Sequence, residues 1–282
     1  MFWVGGCASC HAAPGAKGDA KLRLAGGLEL KTPFGVFRAP NISPDPTAGI
    51  GKWTTIEFVN AMVRGVSPDG RHYYPAFPYT YYQRMRMEDL IDLKGFLDGL
   101  PADANVVRDH SLRFPFNIRR GLGLWKLRYL GSQPLQIDAA MSDLLETGRY
   151  LVEGPGHCGA CHTPRDGFGG AVNDKFLAGA GSLEPKAANA PQKHGAGAVP
   201  NITPHDDGIG RWSEKDIEFA LETGLDPEFD SFGGSMVAVQ ENLAKLSARD
   251  RKSIAAYLKS IPGISSPDKV NTPAEPAAVV TQ

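Results

Sequence analysis

The sequence Cys-x-x-Cys-His occurs twice in this chain of 282 residues, at residues 7–11 and 158–162. The two copies contain all four cysteines of the chain, so they constrain its fold more than any other feature. The spacing is typical of covalent attachment of a c-type haem, in which two thiols add to the porphyrin vinyl groups and the histidine becomes an axial iron ligand. We therefore predict two covalently attached haem c groups, held by Cys7, Cys10 and His11 and by Cys158, Cys161 and His162.

Two other uses of paired cysteines fit the pattern less well. A four-cysteine zinc site needs two Cys-x-x-Cys pairs, which this chain has, but it gives no reason for a histidine directly after each pair. A redox dithiol of the thioredoxin type needs a parallel α/β surrounding, whereas the sequence around both copies indicates helices and Gly- and Pro-rich loops. The haem interpretation is therefore favoured.

The repeat extends well beyond the pentapeptide and predicts an all-α protein of two tandem cytochrome c domains. An Asn-Ile-Ser/Thr-Pro sequence begins at Asn41 and at Asn201, and a Gly-Ile-Gly-Lys/Arg-Trp sequence ends at Trp53 and at Trp212. Amphipathic segments follow at residues 56–64 and 88–100, and again at 217–223 and 248–261, with a proline after the later one of each copy. We predict domains at 1–100 and 138–262 and a disordered tail at 263–282. The domains are joined by a long linker at 101–137, which we expect to be partly packed on one or both of them because it is rich in apolar residues.

Another capped helix is predicted at residues 142–152, directly ahead of the second pentapeptide. The first pentapeptide follows residues 1–6, without a signal peptide, so we expect its leading helix to be truncated and the native chain to begin further upstream. The sequence has no run of 18 apolar residues, which predicts that no helix spans a membrane.

Charge is nearly balanced overall but uneven along the chain. The net charge is −1, which argues against binding of nucleic acid through bulk positive charge. The linker is basic, with six Lys or Arg against two Asp, whereas residues 138–282 carry 13 basic and 20 acidic groups. Two interpretations stay open, namely ordinary solvated surfaces or two faces for two different partners.

The sixth iron ligand decides between electron transfer and catalysis, because an iron with two protein ligands has no open position for a substrate. Methionine is the usual distal ligand of electron-transfer cytochromes. Met236 is the only methionine after His162 and lies in a Gly-rich loop, so we predict that it is the distal ligand of the second haem.

The distal ligand of the first haem is less well defined. We favour Met85, which follows His11 by 74 residues, the same distance that separates His162 from Met236. Alignment of the last helices instead pairs Met85 with Leu246. Three alternatives to Met85 therefore stay open, namely Met87, another ligand or no distal ligand. Met62 is not favoured, because it falls at a core position of an amphipathic helix.

Four further residues are candidates for binding the haem edge. Trp53 and Trp212 stand at matched helix starts, where each is either a core aromatic or an indole N–H donor to a haem propionate. Asn41 and Asn201 begin turns whose backbone amides could serve the same propionates.

With these motifs in place, the chain resembles the dihaem c-type cytochromes that are similar to cytochrome subunits of bacterial membrane-associated alcohol, sugar and aldehyde dehydrogenases. The resemblance covers residues 1 to about 262 and is carried by both pentapeptides, both Gly-Ile-Gly-Lys/Arg-Trp sequences, Tyr-Pro-Ala-Phe-Pro-Tyr at residues 74–79 and Gly-Gly-Ser-Met at 233–236.

The resemblance implies an electron carrier rather than an enzyme. Electrons would come from a quinoprotein, flavoprotein or molybdenum dehydrogenase and pass to quinone, another cytochrome or an oxidase. The resemblance also implies the periplasm, with membrane association through a partner or a missing N-terminal segment. The alternative is a dihaem oxidoreductase with one open haem, peroxidase-like or sulfur-oxidising, which the lack of a fifth cysteine disfavours.

Overall fold

The computed structural model describes residues 1–131, 134–181 and 199–267. Within these ranges the α-helices are α1 Cys7–His11, α2 Thr55–Arg64, α3 Tyr79–Tyr82, α4 Met87–Asp98, α5 Leu122–Tyr129, α6 Asp143–Glu153, α7 Gly159–His162, α8 Glu214–Thr223, α9 Met236–Leu243 and α10 Ala248–Ser260. Short strands β1 Glu29–Thr32, β2 Gly35–Arg38 and β3 Ser111–Leu112 pair antiparallel in that order. The prediction of an all-α protein is corrected in this respect, since a small sheet accompanies the helices.

Helices α2 and α8, one after each pentapeptide, both begin at a capping box. Thr54 and Glu57 form a capping box at the start of α2, and Ser213 and Asp216 form one at the start of α8. The amphipathic segments read from the sequence correspond to α2, α4, α8 and α10, and the capped segment before the second pentapeptide is α6. These helix predictions are confirmed to within a few residues.

Each pentapeptide lies beside an apolar core. We call the first core the cluster of Phe2, Ala8, Leu24, Ile50, Phe58, Met62, Tyr82, Met85, Leu90, Leu93 and Leu97. The second core comprises Val4, Leu151, Val152, Leu177, Ile209, Ile217, Leu221, Leu243, Ile254, Ala255, Tyr257 and Leu258. Val4 precedes the first pentapeptide and yet belongs to the second core, so the two halves of the chain share buried surface.

Helix α6 packs tightly along α10. A Cβ atom on Gly148 would lie 1.9 Å from the carbonyl oxygen of Ser253, so only glycine permits this approach. The contact places the end of α6, where Val152 is fully buried, directly ahead of the second pentapeptide.

The segment between the two copies is packed against both of them. Strand β3 extends the sheet of the first half. In helix α5, the indole Nε1 of Trp125 donates to the carbonyl of Phe168 at 2.9 Å, and the Tyr129 hydroxyl donates to Asp166 at 2.6 Å. Residues 101–131 therefore bridge the halves rather than hang between them.

Candidate functional site

The two pentapeptide histidines are held in the same way. His11 Nδ1 lies 2.7 Å from the carbonyl oxygen of Pro40, and His162 Nδ1 lies 2.8 Å from that of Pro200. A carbonyl oxygen only accepts hydrogen bonds, so Nδ1 carries the proton in each ring and the Nε2 lone pair is free to bind a metal. Burial lowers the pKa of both histidines, which favours the neutral form that metals bind.

Matched loops bring each proline carbonyl to its histidine. After the first pentapeptide, Gly26 N–H donates to the His11 carbonyl and Ile42 N–H donates to the Leu24 carbonyl. After the second, Gly179 and Ile202 make the same bonds to His162 and Leu177. The prolines directly precede the paired asparagines, so their recurrence is visible in the sequence, but no sequence pattern indicates the carbonyl contact.

No disulfide joins any of the four cysteines, all of which lie among the described residues. Burial raises the pKa of Cys7 and of Cys158 to about 12, and burial is also the main cause of the raised pKa of Cys10 and Cys161. These thiols stay protonated near neutral pH, which does not suit a reactive dithiol. Among the described residues, no group of three or more His, Cys, Asp or Glu is arranged to hold a metal ion.

The predicted distal methionines lie beside the cores of their own halves. Met85 is 2% exposed in the first core, where Cys7 packs at the edge. Met236 is partly buried against the second core together with Cys158. Met87 is 54% exposed at the start of α4, which disfavours it as a ligand, and Met62 is a core residue as predicted.

The two candidate distal methionines do not occupy equivalent positions. Tyr73 N–H donates to the carbonyl of Gly65, and Phe232 N–H makes the equivalent bond to the carbonyl of Gly224. When Tyr73 is aligned with Phe232 on this basis, Met236 aligns with Phe77. Met236 is the first residue of α9 rather than part of an open loop.

A second register holds at the last helices. Met85 N–H donates to the Tyr82 carbonyl as Leu246 N–H does to the Leu243 carbonyl, so Met85 pairs with Leu246. The equal spacing of 74 residues is therefore not a structural equivalence. The ligand assignment of Met85 itself stays a prediction.

The tryptophans and asparagines have different surroundings. Trp53 and Trp212 pack partly buried at the edges of the first and second cores. Donation of their indole N–H groups to haem propionates stays a prediction.

The asparagine side chains are already committed. Asn41 Nδ2 donates to the carbonyls of Asp103 and Asn105, and Asn201 Nδ2 donates to Ile264 O and Ser266 Oγ. The side-chain amide protons are therefore used within the chain, and the predicted contact of the backbone amides of these turns with haem propionates stays a prediction. The bonds to residues 264 and 266 also hold the start of the predicted disordered tail, while its residues 268–282 lie outside the described residues.

Helices α1 and α7, which contain pentapeptide residues and which we call the attachment helices, are each covered by residues of the opposite half of the chain. Ser9, inside the first pentapeptide, donates to the Ala238 carbonyl at 3.3 Å and accepts a hydrogen bond from Asn242 at 2.7 Å. Gly159, inside the second, lies against the ring of Tyr81 so closely that a Cβ atom would meet it at 3.0 Å. Each pentapeptide therefore contacts residues of the other half of the chain.

The residues present fit covalent haem. Each pentapeptide offers two thiols and one neutral imidazole with a free Nε2, and the geometry repeats in both halves. This fold and site define a c-type cytochrome. No protein-family model matches the chain.

Curated relatives agree with this class. The chain is 48% identical over 264 residues to a protein named "Diheme cytochrome c-type" from Cereibacter sphaeroides, covering 94% of this chain and 84% of that relative. The chain belongs to the dihaem c-type cytochromes.

More distant relatives are dehydrogenase subunits. Identity is 36% to the alcohol dehydrogenase (quinone) cytochrome c subunit of Gluconobacter oxydans, over 92% of this chain and 52% of that protein. It is 35% to the gluconate 2-dehydrogenase cytochrome c subunit of Pantoea cypripedii, over 92% and 57%. The chain thus spans about half the length of these two subunits. Among its described residues, no helix is both long and apolar enough to cross a bilayer.

Proposed function

We propose that this protein carries two haem c groups and relays single electrons from a dehydrogenase to a downstream acceptor. The observation that carries the proposal is the duplicated site, in which each pentapeptide histidine is held at Nδ1 by the carbonyl of a matched proline. A duplicated binding site with the same tautomer in both copies is suited to two redox centres of one kind.

The chain supplies anchors, ligands and shielding. Cys7, Cys10, Cys158 and Cys161 would form the thioethers, with His11 and His162 as proximal ligands and Met85 and Met236 as distal ligands. When bound, haem c supplies reversible one-electron exchange at iron. The apolar cores beside both methionines would shield the haems from water, and a methionine ligand on each iron would leave no position for substrate. We therefore assign catalysis to a partner.

The partner is proposed from the names of the relatives, which are cytochrome subunits of alcohol, gluconate and fructose dehydrogenases. A quinoprotein, flavoprotein or molybdenum enzyme would suit as donor, and quinone, another cytochrome or an oxidase as acceptor. Thioether attachment of haem occurs on the outer side of the bacterial inner membrane, so a periplasmic location is part of the proposal.

The linker offers a surface for the dehydrogenase. Leu124 and Leu127 of α5 are 75% and 84% exposed, and Phe114 and Ile118 nearby are also exposed. Residues 110–137 contain five Lys or Arg and no Asp or Glu. Exposed apolar side chains with charged neighbours mark interaction sites on soluble domains. This surface would suit a partner with an acidic rim.

The proposal is tested by optical spectroscopy of the purified protein, with haem counted as the pyridine haemochrome. We expect two haems per chain, both low-spin, both with the weak far-red band of methionine–iron ligation, and both indifferent to carbon monoxide when reduced. A haem that binds carbon monoxide would contradict the pure relay and indicate an open catalytic iron. Absence of covalent haem would contradict the proposal entirely.

A further inference from the structure

Two side chains, one from each half, are in contact between the segments that lead into Cys7 and into Cys158. We call these two segments the attachment loops. The ring of His157 lies edge-to-face against the ring of Tyr82, with centroids 5.5 Å apart and planes at 80°. His157 immediately precedes Cys158 in the chain. The Tyr82 ring belongs to the first core, to which Ala8 of the first pentapeptide also belongs.

The same two side chains converge on one backbone atom. The carbonyl oxygen of Gly5 accepts a hydrogen bond from the Tyr82 hydroxyl at 3.1 Å, and His157 Nε2 lies 3.3 Å from it. Because a carbonyl only accepts, His157 carries its proton on Nε2 and donates it to this oxygen. Gly5 stands two residues before Cys7, so the contact joins the backbone of the first attachment loop to the second.

The backbone of His157 is strained to make this contact. Its φ is +38°, a left-handed conformation that side chains other than glycine seldom adopt. The matching position before the first pentapeptide is Gly6, with φ +60°. A glycine would satisfy the backbone at residue 157 as it does at residue 6. Strain that persists where a glycine would remove it points to a use for the side chain.

We propose that His157 is a positioning residue whose imidazole, packed on Tyr82 and bonded to Gly5, fixes the second haem-attachment loop on the first and sets the rate of electron exchange between the two haems. The inference rests on the proposed function. In the exchange one electron leaves the reduced iron and reaches the oxidised iron, so one centre is oxidised as the other is reduced, and no bond forms or breaks.

Packing explains why a single ring would matter. His157 is partly buried between the loops, and desolvation there is the main cause of its lowered pKa, which favours the neutral ring. Removing it would leave a void between Tyr82 and the segment that leads into Cys158, and void walls lose their contacts on one side. The relative position of the two loops would then be less well defined.

The test compares variants of the intact dihaem protein. His157→Gly reproduces the residue of the first copy and relieves the left-handed strain, so the fold is expected to persist. Tyr82→Phe keeps the ring contact and removes only the hydroxyl bond to Gly5. His205→Gly, in a loop of the same half, is the control for loss of a histidine remote from the contact.

The readouts are the rate of exchange between the haems after flash photolysis of a partly reduced sample, the two midpoint potentials and the denaturant midpoint. We expect slower exchange and altered separation of the potentials in His157→Gly, a rate close to the parent in Tyr82→Phe, and no change in His205→Gly. A His157→Gly protein with both haems, an unchanged rate and unchanged potentials would overturn the inference, whether or not its stability changed.

Failure of the proposed function would look different. It would appear as a haem count below two in the parent protein, before any variant is compared. A variant whose stability falls while exchange and potentials stay at parent values would reduce His157 to a packing residue and also overturn the inference.

Discussion

At the residue scale, one hydrogen bond fixes the tautomer of each pentapeptide histidine. The proline carbonyls at residues 40 and 200 hold Nδ1–H and so direct Nε2 outward. The same bond keeps each ring from turning about its own axis. Both halves retain it although their distal residues have diverged.

Met85 and Met87 provide a matched pair of substitutions. We expect Met85→Leu to remove the far-red band of one haem, to let that haem bind carbon monoxide and to lower its potential, because a methionine ligand raises the potential. Leucine has a similar volume, so the first core should stay packed. Met87→Leu, at an exposed position, should leave all three measurements unchanged. Equal behaviour of the two variants in ultraviolet–visible spectra would remove Met85 from the ligand set.

Sequence reasoning reaches the proximal residues more readily than their supports. The pentapeptide predicts the proximal ligand, because covalent haem attachment fixes the spacing of the two thiols and the histidine. The carbonyls of Pro40 and Pro200 cannot be identified in that way, since any residue has a carbonyl and only folding brings these two to the histidines. Asn41 and Asn201 are visible in the sequence because they recur, but the bonds by which their side chains hold the chain after the last helix of each half are not.

At the element scale, different side chains donate hydrogen bonds to the carbonyls at the ends of helices α2 and α8. Carbonyls in the last turn of a helix have no partner within the helix. In the first half, Lys126 of α5 donates to the Arg64 carbonyl at 2.7 Å and the Gly65 carbonyl at 2.6 Å. In the second half, Gln240 Nε2 lies 3.3 and 2.8 Å from the carbonyls of Leu221 and Glu222. A buried ammonium thus does in one half what a neutral amide does in the other.

Replacement of Lys126 should destabilise the protein. Lys126→Met leaves two buried carbonyls without their donor, at an expected cost of about 1–3 kcal/mol. Lys126→Gln, which copies the amide of the second half, should recover part of that loss. Chemical denaturation of the two variants measures the difference. Equal stabilities for the Met and Gln variants would contradict the role of the side chain as a donor.

Lys126 also predicts a dependence on pH. Burial lowers the pKa of Lys126 from 10.5 to about 8 in the folded protein, so between these values the unfolded chain binds more protons than the folded chain. Its contribution to stability therefore rises with pH across this window and falls away as the pH drops through about 8. The difference in unfolding free energy between the parent and Lys126→Met, followed from pH 7 to 11 with Arg128→Met as control, should show this slope. A flat difference would refute it.

The helices were predictable because their apolar spacing and caps are local signals. The small sheet was not. Strands β1 and β2 have only four residues each, and β3 pairs with β2 across more than seventy residues of sequence, so no local pattern indicates the pairing. Packing of the linker on the domains is predictable from its apolar residues, but the donor role of Lys126 is not, because Lys126 looks like a surface residue until the fold buries it.

At the scale of the whole molecule, polar contacts join the halves around Glu153 at the end of α6. Arg84 Nη1 lies 2.7 Å from Glu153 Oε2, and the Tyr257 hydroxyl of α10 donates to the other oxygen of this carboxylate. Tyr150 reaches the first half as well, with its hydroxyl on Asp89 and its ring under Arg86. Helix α6 therefore packs on α10 and contacts the first half.

Arg84→Ala should weaken this junction. Loss of a charge-assisted bond to a mostly buried carboxylate is expected to cost about 1–2 kcal/mol, less than a fully buried pair because Arg84 is partly exposed. Arg71→Ala removes an ion pair with Asp69 in which both side chains are exposed, and should cost less than about 0.5 kcal/mol. The shift in urea midpoint compares them, and equal shifts would mean that Glu153 does not join the halves.

The reciprocal cover of the attachment helices has a consequence for engineering. Ser9 is hydrogen-bonded to Asn242 and Ala238, and Gly159 packs against Tyr81. Each repeat therefore forms part of the wall around the other's attachment helix. A single repeat cut out as a building block would lose that wall and expose its thioether side to solvent. Repeats from different relatives could be exchanged only as pairs, or with the facing residues transplanted along with them.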